Sequence, residues 1–140
     1  MTGAAIDNGQ SKTNIGMRAS WGLSGLAILF LAMDAAGKLI APGTMMAYTP
    51  STLRLPADPG FYRLLGTILA LCTALYAIPR TAVLGALLLT AYLGGAVAAH
   101  LAGGSPLLSN TLFGVYLGAA VWGGVYLREP RLRALLPLRD

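Results

Sequence analysis

Asp34 and Lys38 stand four residues apart in "AILFLAMDAAGKLIAPG", a stretch that otherwise reads as membrane hydrocarbon. On a helix that spacing puts both side chains on one face, acid first, where they can pair. In an apolar setting such a pair can be a structural ion pair. It can also hold a polar ligand or handle a proton. Both readings stand at this stage. Other chemistry-bearing side chains are scarce: the chain has one histidine, His100, and one cysteine, Cys72. A single histidine excludes a bis-His haem within this chain and a His-rich metal site. A single cysteine excludes an intrachain disulfide and CxxC dithiol chemistry. Cys72 is flanked by apolar residues and reads as a packing residue. There is no nucleophile elbow, P-loop, dinucleotide glycine fingerprint or metal-ligand spacing. No catalytic residue and no metal is therefore assigned.

The elements that must position these groups are membrane spans. Of 140 residues, 56% are hydrophobic and 11% charged, against roughly 25% charged in an ordinary soluble domain. The net charge is +5. Four of the ten basic residues lie in the last thirteen positions, beside a hydrophobic block, which points to membrane topology and not to nucleic acid. Apolar blocks at about 19–39, 61–78, 81–101 and 107–127 predict an all-α integral membrane protein. Its form is an antiparallel, up-down four-helix bundle. The clean apolar part of the first block, Leu23 to Met33 apart from Ser24 and Gly25, is too short to cross ~30 Å of hydrocarbon at ~1.5 Å per residue. The span must therefore include Asp34 and Lys38. A rival reading is a cleaved signal peptide with Lys12 and Arg18 as its basic region, against which the acid in "AMDAAG" counts.

Residues 1–18, opening "MTGAAIDNGQSKTN", read as a disordered cytoplasmic tail, residues 19–127 as the membrane domain and residues 128–140 as a basic cytoplasmic tail. The segment "IAPGTMMAYTPSTLRLPADPG" carries four prolines, so it reads as a long loop without a useful helix. The short "IPR" connection makes the second and third blocks a tight hairpin. Lys12, Arg18, Arg80, Arg128, Arg131, Arg133 and Arg139 fall on one side, and Lys38, Arg54 and Arg63 on the other. Seven against three predicts both termini in the cytoplasm of a multi-pass cell (inner) membrane protein. Trp21, Tyr76, Trp122 and Tyr126 are expected at the inner interface, Phe61 and Tyr62 at the outer one. Gly94-x-x-x-Ala98, Gly95-x-x-x-Ala99, Gly114-x-x-x-Gly118 and Ala120-x-x-x-Gly124 are expected to line close helix contacts.

Counting from Ala19 and Thr81 as inner ends, Asp34 lies roughly 22 Å up the first helix, and Lys38 and His100 roughly 28 Å up theirs. Arg63, Ser109, Asn110 and Thr111 sit near the outer starts of their helices. Every helix thus places polar groups in one slab near the outer interface. The ligand-binding set read from this is Asp34, Lys38, His100, Arg63, Asn110 and Tyr92. The competing reading lets Lys38 and Arg63 snorkel to headgroups and makes His100 a helix end. Tyr92 and Tyr116 lie nearer mid-membrane, and each needs a hydroxyl partner: the other, a backbone carbonyl, or a quinone carbonyl; core packing is the competing reading and the one favoured here.

Three stretches together resemble the DoxX-like family of small four-span membrane proteins. They are "LFLAMDAAGKLIAPG", "LYAIPRTAVLGALLLTAYLGGAVAAHL" and "VWGGVYLREPRLRALLP". The resemblance covers about residues 19–137, and Lys38 and His100 fall on its matching positions. The family takes its name from a subunit of a thiosulfate:quinone oxidoreductase. The resemblance therefore implies a redox-associated membrane subunit with a quinone as ligand. The chain has no electron carrier of its own. Electrons would come from a soluble oxidoreductase partner, and a homo-oligomer is the other assembly implied. The alternative is a non-enzymatic small-molecule or lipid binder, or a scaffold. In every case the lipid bilayer is the partner and nucleic acid is not.

Overall fold

The computed structural model of the chain describes residues 3–135, with side chains from Asn14 onward. Helix α1 runs from Gly3 to Ile40. Residues 3–18, expected as a disordered tail, are therefore helical. Ala4, Ala5, Gln10 and Lys12 are good helix formers and no proline intervenes. Extending a helix already formed by the membrane span costs no new nucleus. Helix α2, Pro42–Tyr48, corrects the expectation of a loop without helix. Pro42 occupies its first turn, where a missing N–H costs nothing, and Pro50 lies beyond its end. A 3₁₀ turn follows at Ser51–Leu53. Helix α3 spans Pro59–Ala77, with the Asp58 carboxylate accepting the Phe61 N–H at 2.8 Å as its N-cap. After the Pro79 turn, helix α4 runs Ala82–Ala102. A wide π turn at Leu107–Thr111 leads into helix α5, Phe113–Arg128. A short helix α6, Pro130–Arg133, comes last.

Four helical stretches are long and apolar enough to cross a membrane: Asn14–Ile40, Pro59–Ala77, Ala82–Ala102 and Leu107–Arg128. They close into a ring in which α1 and α4 each pack against both α3 and α5. Two ends can be named from the contacts. At the turn end, near the Pro79 connection, Ser24 meets Tyr76. At the loop end, Lys38 lies against Gly66.

The turn end is tied by hydrogen bonds between helices. Tyr76 is fully buried. Its hydroxyl donates to the Val121 carbonyl at 2.9 Å and, its one proton so used, accepts from the Ser24 hydroxyl at 2.8 Å. Ser20 donates to the Gly124 carbonyl at 2.7 Å. Tyr76 thus corrects the expectation of an interfacial belt residue: it is the polar knot of α1, α3 and α5. Glycines let the backbones approach it. A methyl carbon on Gly85 would lie 2.2 Å from the Tyr76 backbone nitrogen, and one on Gly124 would lie 2.2 Å from Ser24 Oγ. The expected contact stripe on α5 is therefore real at Gly124, and at Gly114, which packs on Val97. On α4 it is not. Beyond their own helix backbone, nothing lies within 4 Å of where a methyl on Gly94 or Gly95 would sit, and the close contact is Gly85. A small-residue spacing marks where approach is permitted, and the facing residue decides whether it happens.

These contacts make a paired expectation. Gly85→Ala should lower the thermal unfolding midpoint in detergent sharply, because the clash is with backbone that cannot swing aside; overpacking of this kind costs about 1–3 kcal/mol. Gly94→Ala should leave the midpoint unchanged or slightly higher, since alanine is the better helix former. Equal effects would show that the ring does not pack at Gly85.

Candidate ligand-binding site

Above the Tyr76 knot the ring opens into a cavity of about 670 Å³ at the loop end. Phe30, Asp34 and Lys38 line it from α1, and Tyr92, Ala96 and His100 from α4. Each set repeats every four residues, which keeps it on one helix face. Asn110 enters from the π turn. There the Asn110 and Thr111 N–H groups both donate to the Pro106 carbonyl, at 3.2 and 3.1 Å. This wider turn presents Asn110 to the cavity and leaves Ser109 exposed, its hydroxyl donating to Asn110 Oδ1 at 2.8 Å. The walls between these groups are apolar, among them Leu31, Leu65, Val97, Phe113 and Leu117.

The charges in the cavity are paired. Lys38 Nζ donates to Asp34 Oδ1, the single ion pair among the described residues, and both side chains are part-buried. Lys38 also lies in the last turn of α1, where the helix dipole favours a cation. His100 occupies the last turn of α4, and its Nδ1 is 3.0 Å from Ser105 Oγ. The chain reverses just beyond it at Gly104, with φ +65°.

Five of the six residues expected to bind ligand, Asp34, Lys38, His100, Asn110 and Tyr92, therefore line one cavity. Arg63 does not: it is exposed in the first turns of α3, on the outside of the ring. Tyr116 is half exposed on the outer surface, so it does not partner Tyr92. Tyr62, expected in an aromatic belt, is buried instead, with the Phe61 ring edge-on to it at 5.9 Å.

The proline-rich segment covers the cavity, which the sequence did not indicate beyond its length. Met45, Thr49, Leu53 and Leu55 all line it. Three contacts hold the cover down. Tyr62 Oη donates to Thr49 Oγ1 at 2.9 Å, joining it to α3. The Met45 side chain fits against Gly37 of α1, where a methyl would come within 3.0 Å of it. The Thr52 carbonyl sits on Gly103, just past α4.

A family profile described as the DoxX-like family matches residues 22–124, so the chain belongs to that family. No curated protein and no solved structure matches it.

Two expectations follow from this geometry. Lys38→Met should destabilise the protein more than the double variant Asp34→Asn/Lys38→Met, by about 1–3 kcal/mol, because the single change strands a part-buried carboxylate. Thermal melts of all four members of that cycle measure it. Tyr62→Phe should raise hydrogen exchange across residues 42–55 by roughly fivefold, the opening expected for about 1 kcal/mol of hydrogen bond, with exchange in α3 and α4 unchanged.

Proposed function

We propose that this DoxX-like membrane protein binds the headgroup of a quinone in its loop-end cavity, as a redox-associated subunit that works with an oxidoreductase partner. The reading rests on one observation: three elements bring an ammonium, a carboxylate, an imidazole, an amide and a phenol to the polar part of one mostly apolar cavity. Pockets of roughly 300–1,000 Å³ with apolar walls and a few convergent polar groups are the usual form of a small-molecule site. A quinone ring fits such a volume. Lys38 Nζ and the Asn110 amide can each donate to a carbonyl oxygen, and His100 can do so through the ring nitrogen away from Ser105. Asp34, already hydrogen-bonded to Lys38, holds the ammonium in place beside that oxygen. A bound quinone would supply two-electron, two-proton acceptor chemistry. The protein's own part is to orient the ring and to shield it under the 42–55 cover.

Both termini are further proposed to lie in the cytoplasm, on the strength of the seven-to-three distribution of basic residues. Reporter fusions should put residue 45 across the membrane from residue 140; finding both on one side would overturn this orientation.

The binding test uses a short-chain benzoquinone titrated into protein purified in mild detergent. Lys38→Met, His100→Ala and Asn110→Ala should each weaken binding about tenfold, near the value of one well-placed hydrogen bond, and Arg63→Gln should not. Unchanged binding in all three would overturn the assignment. Phospholipid extracted from the cavity in place of quinone would favour the second reading, a non-enzymatic binder of amphiphiles.

A further inference from the structure

The opposite end of the bundle carries a second arrangement, independent of the cavity. Arg128 closes α5, and its guanidinium carbon stands 4.8 Å from the centre of the Trp21 ring and 5.7 Å from that of Tyr76. Tyr76 is immobilised by burial and two hydrogen bonds, so it forms a fixed floor. The guanidinium is always charged and presents five N–H donors in one plane. Aromatic faces attract the cation but leave its N–H edges without acceptors. No carboxylate of the described residues pairs with it, because the single ion pair lies at the far end of the bundle. The adjacent acid, Glu129, is used as a cap: its Oε1 accepts the Arg131 N–H at 3.3 Å. Buried Leu132 pins the following turn to the bundle, which leaves Arg131 and Arg133 exposed on either side. Arg18 precedes Trp21 by three residues on α1, and so shares its side of the helix.

We propose that this end of the bundle binds the phosphate of an anionic phospholipid at Arg128, with Trp21 holding the guanidinium in the plane that a phosphate meets bidentately. Planar, bidentate recognition of phosphate is what an oriented arginine provides and a flexible cation does not. The occupant is a lipid because the site lies at the end of a membrane span. Trp21 is half exposed, as an interfacial anchor is, and Met17, one turn before it on the same face of α1 and also open, offers an apolar flank for acyl chain. The proposal does not depend on what the loop-end cavity binds.

The test is native mass spectrometry of protein released from bilayers of equal phosphatidylglycerol and phosphatidylcholine. Wild-type protein should retain phosphatidylglycerol preferentially. Arg128→Gln should reduce that retention by roughly fivefold, the value of one arginine near an anionic surface. Trp21→Leu, which keeps every charge, should reduce it as well, and Arg63→Gln at the loop end should not. Millimolar inorganic phosphate should fail to displace the lipid; full displacement would overturn the lipid assignment in favour of a small-anion site. Equal retention of the two lipids by wild-type protein would also sink the proposal. So would normal retention by both Arg128→Gln and Trp21→Leu. If Arg128→Gln does not fold, Trp21→Leu alone decides.

Discussion

The bundle depends on one buried hydroxyl. In hydrocarbon, helices gain nothing from hiding apolar surface against each other, so packing contacts and hydrogen bonds between them must supply the association. Tyr76 supplies both. Its ring fills the centre of the turn end, and its hydroxyl joins Ser24 of α1 to the Val121 carbonyl of α5. A phenol placed there could be ruinous if left unsatisfied, because no water is at hand to repair it. It is tolerable because both neighbours were brought within reach by residues without side chains. Gly124 admits Ser24 and the tyrosine hydroxyl, and Gly85 lets α4 press against the α3 backbone at Tyr76 itself. The hydroxyl, the serines and the two glycines therefore act as one unit.

That concentration of contact at one end leaves room at the other. Leu69, Leu89 and Val121 are fully buried around the centre of the ring. Towards the loop end, α4 instead presents Gly94 and Gly95, with nothing close by, and Gly95 and Ala96 line the cavity. Small residues thus do opposite work at the two ends: at Gly85 and Gly124 they allow contact, and at Gly95 they leave a void. The void is compatible with a stable bundle because its charges are matched. An isolated carboxylate there would carry a large desolvation cost, whereas one bonded to Lys38 near the end of a span carries much less. The 42–55 segment forms one wall of the cavity and contacts three separate elements, and so it is a built part of the site and not a slack connection.

Much of this was legible in the residues, for reasons that differ between parts. Four apolar blocks interrupted by proline and glycine define the spans, because the bilayer fixes the length that must be apolar. Depth was legible too: counting residues along straight helices put Asp34, Lys38, His100 and Asn110 at one level, and these residues share a cavity. Azimuth was not. Depth arithmetic cannot tell that Arg63 faces outwards while Lys38 faces inwards, nor that Tyr116 turns away from Tyr92. The aromatic residues misled for the same reason. Tyr76 and Tyr62 stand near the two ends of α3, where tyrosine often faces lipid headgroups, yet both are buried because a specific hydroxyl acceptor or donor waits on a neighbouring element. Ser20 and Ser24 gave the available signal, two hydroxyls four residues apart in an apolar run, for a polar contact at that level. The two-turn helix α2 was hidden by the proline count; only the position of each proline, first turn or beyond the end, determines whether it breaks a helix.

Helix α1 couples the two ends through its phase. Ser20, Ser24, Ala27, Leu31 and Ala35 are all buried, and their spacing of three and four residues traces one stripe facing the ring. Phe30, Asp34 and Lys38 form the neighbouring stripe, one residue earlier in register, and that offset turns them to the cavity. The hydrogen bonds of Ser20 and Ser24 at the turn end therefore set where the Asp34–Lys38 pair points at the loop end, since a helix rotates by about 100° per residue and cannot twist between them. Inserting a single residue between Ser24 and Asp34 would carry the pair away from its present direction, with every other residue of the site unaltered. The serines do not line the cavity, yet they fix which way its Asp34–Lys38 pair faces.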